Sequence, residues 1–274
     1  MGQTMEGKAC RFALRFPYIL LVTIMGINDG HANEQEIIEL LNGKRISDLA
    51  PHFKKWLTTL FLKCNDYLEV KKLNNEQKAD IAISRGDQSR YISIKSGDSN
   101  SFHSESIRTF IPFLRGLGVS ESTLKVIAFF HFGDNTLTGL GPTRFTSAEL
   151  RRVHAKAFKS ASEELSQPQL MKEIINRVII QGRYGVNYPI DGIYHGTIKD
   201  GFFLSTKQIY RILLRKSHQR KNGTINIGML TYQPGSRNLW GIPGSEQKRE
   251  QSEIRWRSFL KDAKSQLLFD KEEN

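Results

Sequence analysis

One stretch, residues 78–105, constrains the fold more than any other part of the chain; it reads KADIAISRGDQSRYISIKSGDSNSFHSE. Two short apolar runs, 79–84 and 90–96, flank the polar link Arg85-Gly86-Asp87-Gln88, and this pattern predicts a β-hairpin. Side chains alternate along a strand, so Tyr91, Ser93 and Lys95 share one face while Ile92 and Ile94 share the other. With the turn centred near Asp87, antiparallel register places Asp80 opposite Ile94 and therefore beside Lys95. The expectation is a carboxylate and an ammonium side by side at the end of the hairpin.

This arrangement resembles the active-site hairpin of the PD-(D/E)xK nuclease superfamily, the restriction-endonuclease-like fold. Asp80 stands for the family Asp, and Ser93-Ile94-Lys95 stands where (D/E)-x-K usually stands. Ser93 replaces the second metal-binding acid. The sequence also resembles a subset of restriction enzymes that carry Ser-x-Lys on the strand and the missing carboxylate on the helix that follows. Glu105 occupies the position of such a migrated acid, ahead of the apolar periodic segment Ile107, Phe110, Ile111, Leu114 and Leu117, which predicts a helix. The resemblance covers roughly a tenth of the chain, the D…SxK…E pattern of residues 80–105.

What the resemblance implies is a Mg²⁺-dependent endonuclease acting on double-stranded DNA, of the restriction type. Phosphodiester hydrolysis calls for a divalent ion that offsets phosphoryl charge and lowers the pKa of the attacking water, and Mg²⁺ takes a few carboxylates plus waters. Asp80 and Glu105 would hold it, and Lys95 would orient the water or stabilise the transition state. Ordinary roles exist for each group. Asp80 and Lys95 can form a cross-strand ion pair, and Glu105 can favour a helix N-terminus through the macrodipole. A DNA-binding protein with a decayed nuclease site and a repair or Holliday-junction nuclease are the functional alternatives.

Composition supports a polyanionic partner. Forty Lys plus Arg against 28 Asp plus Glu leave a formal net charge of +12 over 274 residues. Nucleic acid is the leading candidate and an anionic membrane surface the second. The two cysteines, Cys10 and Cys64, are too few for a disulfide framework and lack the CxxC or CxxH spacing of a zinc site. A reducing, cytoplasmic location is the simpler expectation. No apolar run approaches the length of a membrane span. Residues 1–32 form an N-terminal extension in which Lys8, Arg11 and Arg15 precede the apolar run 16–26, an imitation of a signal peptide that would imply secretion. A buried strand over 18–25, or a start at Met25, is the other reading.

The catalytic core is expected over 33–140 and a basic α+β nucleic-acid-binding part over 141–274, either as two units or packed as one. Asn33 and Glu36 resemble a capping box at the start of a first helix. Many members of the resembled superfamily carry a further metal-linked Glu on that helix, and Glu36, at the border of the apolar face, is the choice for it. Residues 49–62 repeat with helical spacing, 67–70 begin a strand, and 124–132 is an apolar run suited to a buried strand or helix. Residues 147–161 and 170–180 read as helices, 190–197 and 201–204 as a hairpin, and Ser205-Thr206 as the cap of another helix. That last helix and its exit carry Lys207, Arg211, Arg215, Lys216, Arg220 and Lys221 without an intervening acid; with Arg237 in a later turn they are the candidate DNA contacts. The fold class expected is α/β, a restriction-endonuclease-like core whose mixed sheet is flanked by helices, followed by an α+β part. Cutting both strands calls for two active sites, so a homodimer is expected.

Overall fold

The hairpin forms and lies at the centre of a sheet. In the computed structural model, which describes residues 29–61, 66–74, 77–98, 100–134, 136–141, 144–183, 188–215, 224–235 and 242–272, β1 (Glu69–Lys72), β2 (Ile81–Arg85), β3 (Gln88–Lys95), β5 (Gly192–Gly196) and β6 (Gly201–Ser205) pair in the order β1-β2-β3-β5-β6. The contact between β3 and β5 is parallel and the others are antiparallel, so the sheet is mixed. A second, antiparallel sheet has the order β4-β9-β8-β7, with β4 (Ser101–Ser106), β7 (Asn226–Ile227), β8 (Leu230–Pro234) and β9 (Gln251–Arg255).

The turn between β2 and β3 contains two residues, Gly86 and Asp87, because Arg85 pairs with Gln88. Gly86 sits at φ 59°, which glycine adopts without steric cost. This corrects the expected register by one position: Ile81 faces Ile92, so the pairing centre lies between Gly86 and Asp87, not on Asp87. The short turn decides this, since its length sets the pairing of every residue beyond it.

The helices are α1 (Asp29–Leu41), α2 (Pro51–Leu60), α3 (Ile107–Gly116), α4 (Glu121–Phe132), α5 (Ser147–Leu165), α6 (Pro168–Ile175), α7 (Thr206–Leu213), α8 (Glu246–Glu250) and α9 (Phe259–Glu272), with a π-helical turn (Asn176–Gln181) continuing α6. Strand alternation divides the core. Ile81, Ile83, Ile92 and Ile94 pack with Ile37, Leu41, Phe53 and Trp56 of α1 and α2. On the other face Ile193 and Leu204 join a larger cluster with α3 to α7 and the second sheet, which Ala79, just ahead of β2, also enters. Full burial of such side chains contributes roughly 1.5–3 kcal/mol each. Ser93, 2% exposed, and Lys95 lie on this second face.

Both sheets draw strands from either side of residue 140. β3 pairs with β5, and β4 with β9, so the boundary drawn there does not separate the two sets of strands. A parallel neighbour needs a long crossover, and here that crossover holds α3 to α6. Two helix starts also differ from expectation. The first helix begins at Asp29, and Asn33 is no cap: it is 7% exposed, and its Nδ2 donates to the Gly196 carbonyl at 2.9 Å. The helix after the hairpin begins at Ile107, with Ser106 as N-cap accepting from the Arg108 N–H.

The β5–β6 contact depends on Gly192. A Cβ there would lie 2.3 Å from the Leu204 carbonyl oxygen and 2.3 Å from the Phe203 ring. Gly192→Ala is therefore expected to lower stability by about 1–3 kcal/mol, read from urea unfolding. An unchanged midpoint would show that β6 shifts freely.

Candidate active site at the end of the central hairpin

Asp80 closes the hairpin with its side chain. Its N–H donates to the Ile92 carbonyl at 2.9 Å, while Oδ2 accepts from the Ile94 N–H at 2.6 Å and from Ser93 Oγ at 3.0 Å. The carboxylate thus takes the Ile94 N–H that a backbone rung would otherwise satisfy. The Ser93 Oγ bond puts the Asp and the Ser of the D…SxK pattern in direct contact, and the same carboxylate oxygen holds the Ile94 N–H. Lys95 ends β3, half-buried, paired in register with His195 of β5. No ion pair joins it to Asp80 among the described residues, so the simple cross-strand pair does not form.

Lys78 is a member of this cluster that the pattern does not name. Its Nζ donates to the Phe102 carbonyl of β4, a bridge between the two sheets. Burial pulls its pKa down to about 7, Lys95 repels its charge further, and Asp80 partly opposes both. Gly182, at the end of the π-helical turn, packs on its stem, where a Cβ would meet the Lys78 Cβ at 3.3 Å. Lys78 and Asp80 lie ahead of β2, which begins at Ile81, so strand alternation does not relate them and the local pattern carried no signal for Lys78.

Glu105 is placed differently from expectation. It lies in strand β4, not at the opening of a helix, and is 1% exposed. Arg177, from the π-helical turn, grips it through both oxygens: Nε donates to Oε1 at 3.0 Å and Nη2 to Oε2 at 2.8 Å. His103 Nε2 lies 3.0 Å from Oε1, and Thr109 Oγ1 donates to Oε2 at 2.9 Å. Burial raises the carboxyl pKa, but the hydrogen bonds from His103 and Arg177 and their charges outweigh it and hold the group at about 2. Burial in turn lowers the pKa of His103, against its hydrogen bond to Glu105. Arg177 had no signal in the sequence, since the chain brings it to Glu105 across 72 positions.

Glu36 is exposed on α1. The acid of that helix that reaches the first sheet is Glu34, whose Oε2 lies 3.2 Å from Lys72 Nζ at the end of β1. The set Asp80, Glu105 and Glu36 does not fit Mg²⁺ as arranged here. Mg²⁺ demands near-octahedral oxygen donors, yet both Glu105 oxygens are taken by Arg177, His103 and Thr109, and Glu36 faces solvent. Among the described residues no group of three or more His, Cys, Asp and Glu side chains is arranged to hold a metal ion.

Of the candidate DNA contacts, Lys207 and Arg215 are exposed on and just beyond α7. Arg211 Nη1 pairs with Asp270 of α9 at 2.7 Å, and the Arg215 guanidinium lies 5.3 Å from the Phe269 ring centre. Lys216, Arg220, Lys221 and Arg237 lie outside the described residues, as does nearly all of the 1–32 extension. The basic face of α5, with Arg151, Arg152, Lys156 and Lys159, is exposed.

These features define an α/β protein with a mixed central sheet, a second antiparallel sheet and a polar, cation-rich cluster where β3 ends. Comparison with protein-family models and with curated proteins gives no match. No helix among the described residues is long and apolar enough to cross a membrane.

Proposed function

We propose that this protein is a nuclease of the restriction-endonuclease-like type that hydrolyses phosphodiester bonds of double-stranded DNA. The observation that carries the reading is the contact of Asp80 with Ser93, with Lys95 next on the same face at the end of a strand in a mixed sheet. Lys95 supplies a point charge to offset the charge that develops on the phosphoryl oxygens. Asp80, its Oδ2 fixed by Ser93 and Ile94, is an oriented carboxylate beside it. The net charge of +12 favours a polyanion, and the exposed bases of α5 and α7 extend that field. A homodimer in the cytoplasm belongs to this reading; Mg²⁺ dependence is what the resemblance implies, and it requires the carboxylates to rearrange from the geometry described above.

One observation favours a second reading, a DNA-binding protein that does not cut. Glu105, the acid assigned to replace the one missing at Ser93 in the resembled pattern, is paired with Arg177. Incubating the protein with supercoiled plasmid, with and without Mg²⁺, separates the two. Discrete linear fragments are the expected result, and their appearance only with Mg²⁺ would show that the carboxylates rearrange around the ion. Retarded but intact plasmid at every protein concentration would sink the nuclease reading in favour of the binder.

A further inference from the structure

The sheet ends at β6, and its last strand borders a cavity. Phe203 of β6 packs against α2 on one face, while Phe202 points to the other, where Phe259 of α9 meets it. Residues of α2, β6, α7 and α9 together enclose about 760 Å³, within the roughly 300–1,000 Å³ of small-molecule sites.

The wall has two characters. Trp56 of α2 stacks on Phe203 with ring centres 4.9 Å apart and planes 15° from parallel, and Phe202 and Leu267 extend this apolar side. Lys55 of α2 and Lys207 and Arg211 of α7 supply three cations, against the single acid Asp270. Asp270 is taken by Arg211 at 2.7 Å, whereas Lys55 and Lys207 are exposed and form no ion pair among the described residues. The first turn of α7, capped by Ser205 and Gln208, lines the same space and adds the positive end of its dipole. Trp56 is 4% exposed and its Nε1–H has no acceptor; His52 Nε2, one turn earlier on the same wall, has no partner either. Buried polar groups left unpaired cost stability, so this wall is short of hydrogen-bond partners as well as of negative charge. A bare anion would leave the aromatic side unused, and a hydrocarbon would leave the two lysines unmatched. A flat heterocycle that carries a phosphate meets both sides.

We propose that this cavity is a nucleotide-binding site, with the base against the Trp56–Phe203 wall and the phosphate at Lys55, Lys207 and the start of α7. β5 separates β6 from β3, so the site is distinct from the hairpin end and does not rest on the nuclease reading. The nucleotide is either free or an unpaired residue of a single strand, since both present the same base and phosphate.

The test is calorimetric titration of the full chain with AMP, GMP, CMP and dTMP singly, with inorganic phosphate, and with a short single-stranded oligonucleotide beside an abasic strand of the same length. At least one mononucleotide is expected to bind about tenfold or more tightly than inorganic phosphate. Lys55→Ala should weaken it about tenfold, and Lys55→Ala with Lys207→Ala on the order of 100-fold, the loss of one and two charge-assisted contacts. Both lysines are exposed on helices, so the variants should keep the wild-type melting temperature. Absence of mononucleotide binding, with oligonucleotide binding that exceeds the abasic strand and falls in Lys55→Ala, would uphold the site and assign it to a strand. Inorganic phosphate or the abasic strand bound as tightly as every nucleotide, an affinity unchanged in the double variant, or no binding of any probe would overturn the proposal. Plasmid cleavage by wild type reports on the nuclease reading separately, and neither result decides the other.

Discussion

Lys95→Ala is expected to slow plasmid cleavage on the order of 100- to 1000-fold, the usual cost of removing a group aimed at developing transition-state charge. Duplex affinity should fall no more than about tenfold, because other bases supply most of the phosphate contacts. The strand itself should survive. Ile92 and Ile94, which hold β3 against α1 and α2, are buried on the opposite face, and Lys95 is the last residue of the strand. Cleavage rate and duplex anisotropy measured on the same preparations check both halves. A Lys95→Ala protein that cuts at the parental rate would remove Lys95 from the chemistry and the hairpin from consideration as an active site.

Glu105→Ala is expected to lower folding stability by about 3–5 kcal/mol, the cost of leaving a buried cation without its partner. Arg177 would lose both of its bonds to the carboxylate, and His103 and Thr109 would lose theirs. The acid dependence should follow the same pair. Glu105 has its pKa depressed to about 2 in the folded protein, below the ordinary carboxyl value of about 4.5, so its ionised form is favoured by folding. Its contribution is therefore complete above about pH 4.5 and is lost as the pH falls through about 2, on the order of 3 kcal/mol in all. Urea unfolding of wild type and Glu105→Gln across this window should show the gap between them closing as acid is added. The resemblance to migrated-acid enzymes implies a different outcome, a stable Glu105→Ala protein that binds DNA and does not cut. Observing that would return Glu105 to the role of metal ligand and show that the grip of Arg177 is released when the site is engaged.

The Arg177 grip also explains why a motif so compact misleads about its third member. Ser-x-Lys and a following Glu read alike whether the Glu points into an open cleft or into an ion pair. The difference is made by the π-helical turn Asn176–Gln181, which carries Arg177 to β4 from a distant part of the chain. Nothing in the local pattern around residue 105 encodes that partner.

Short-range physics made the rest of the hairpin legible. Alternation along the strand put Ser93 and Lys95 on one face, Gly86 and Asp87 supplied the turn, and the apolar spacing of 49–62, 147–161 and 170–180 became α2, α5 and α6. Ser205 caps α7 as the sequence suggests, and the structure adds Gln208 as the other half of a capping box. These features depend on neighbours within a turn or two, where propensity and periodicity act. The one-residue register, the parallel seam between β3 and β5, the pairing of β4 with β9 and the burial of Glu105 all depend on contacts between residues remote in sequence. Such contacts are selected by how side chains fill the core and by which buried charges find partners. The sequence alone therefore determined a hairpin bearing Asp80, Ser93 and Lys95, while the tertiary structure decided that Lys78 joins them and that Glu105 belongs to Arg177.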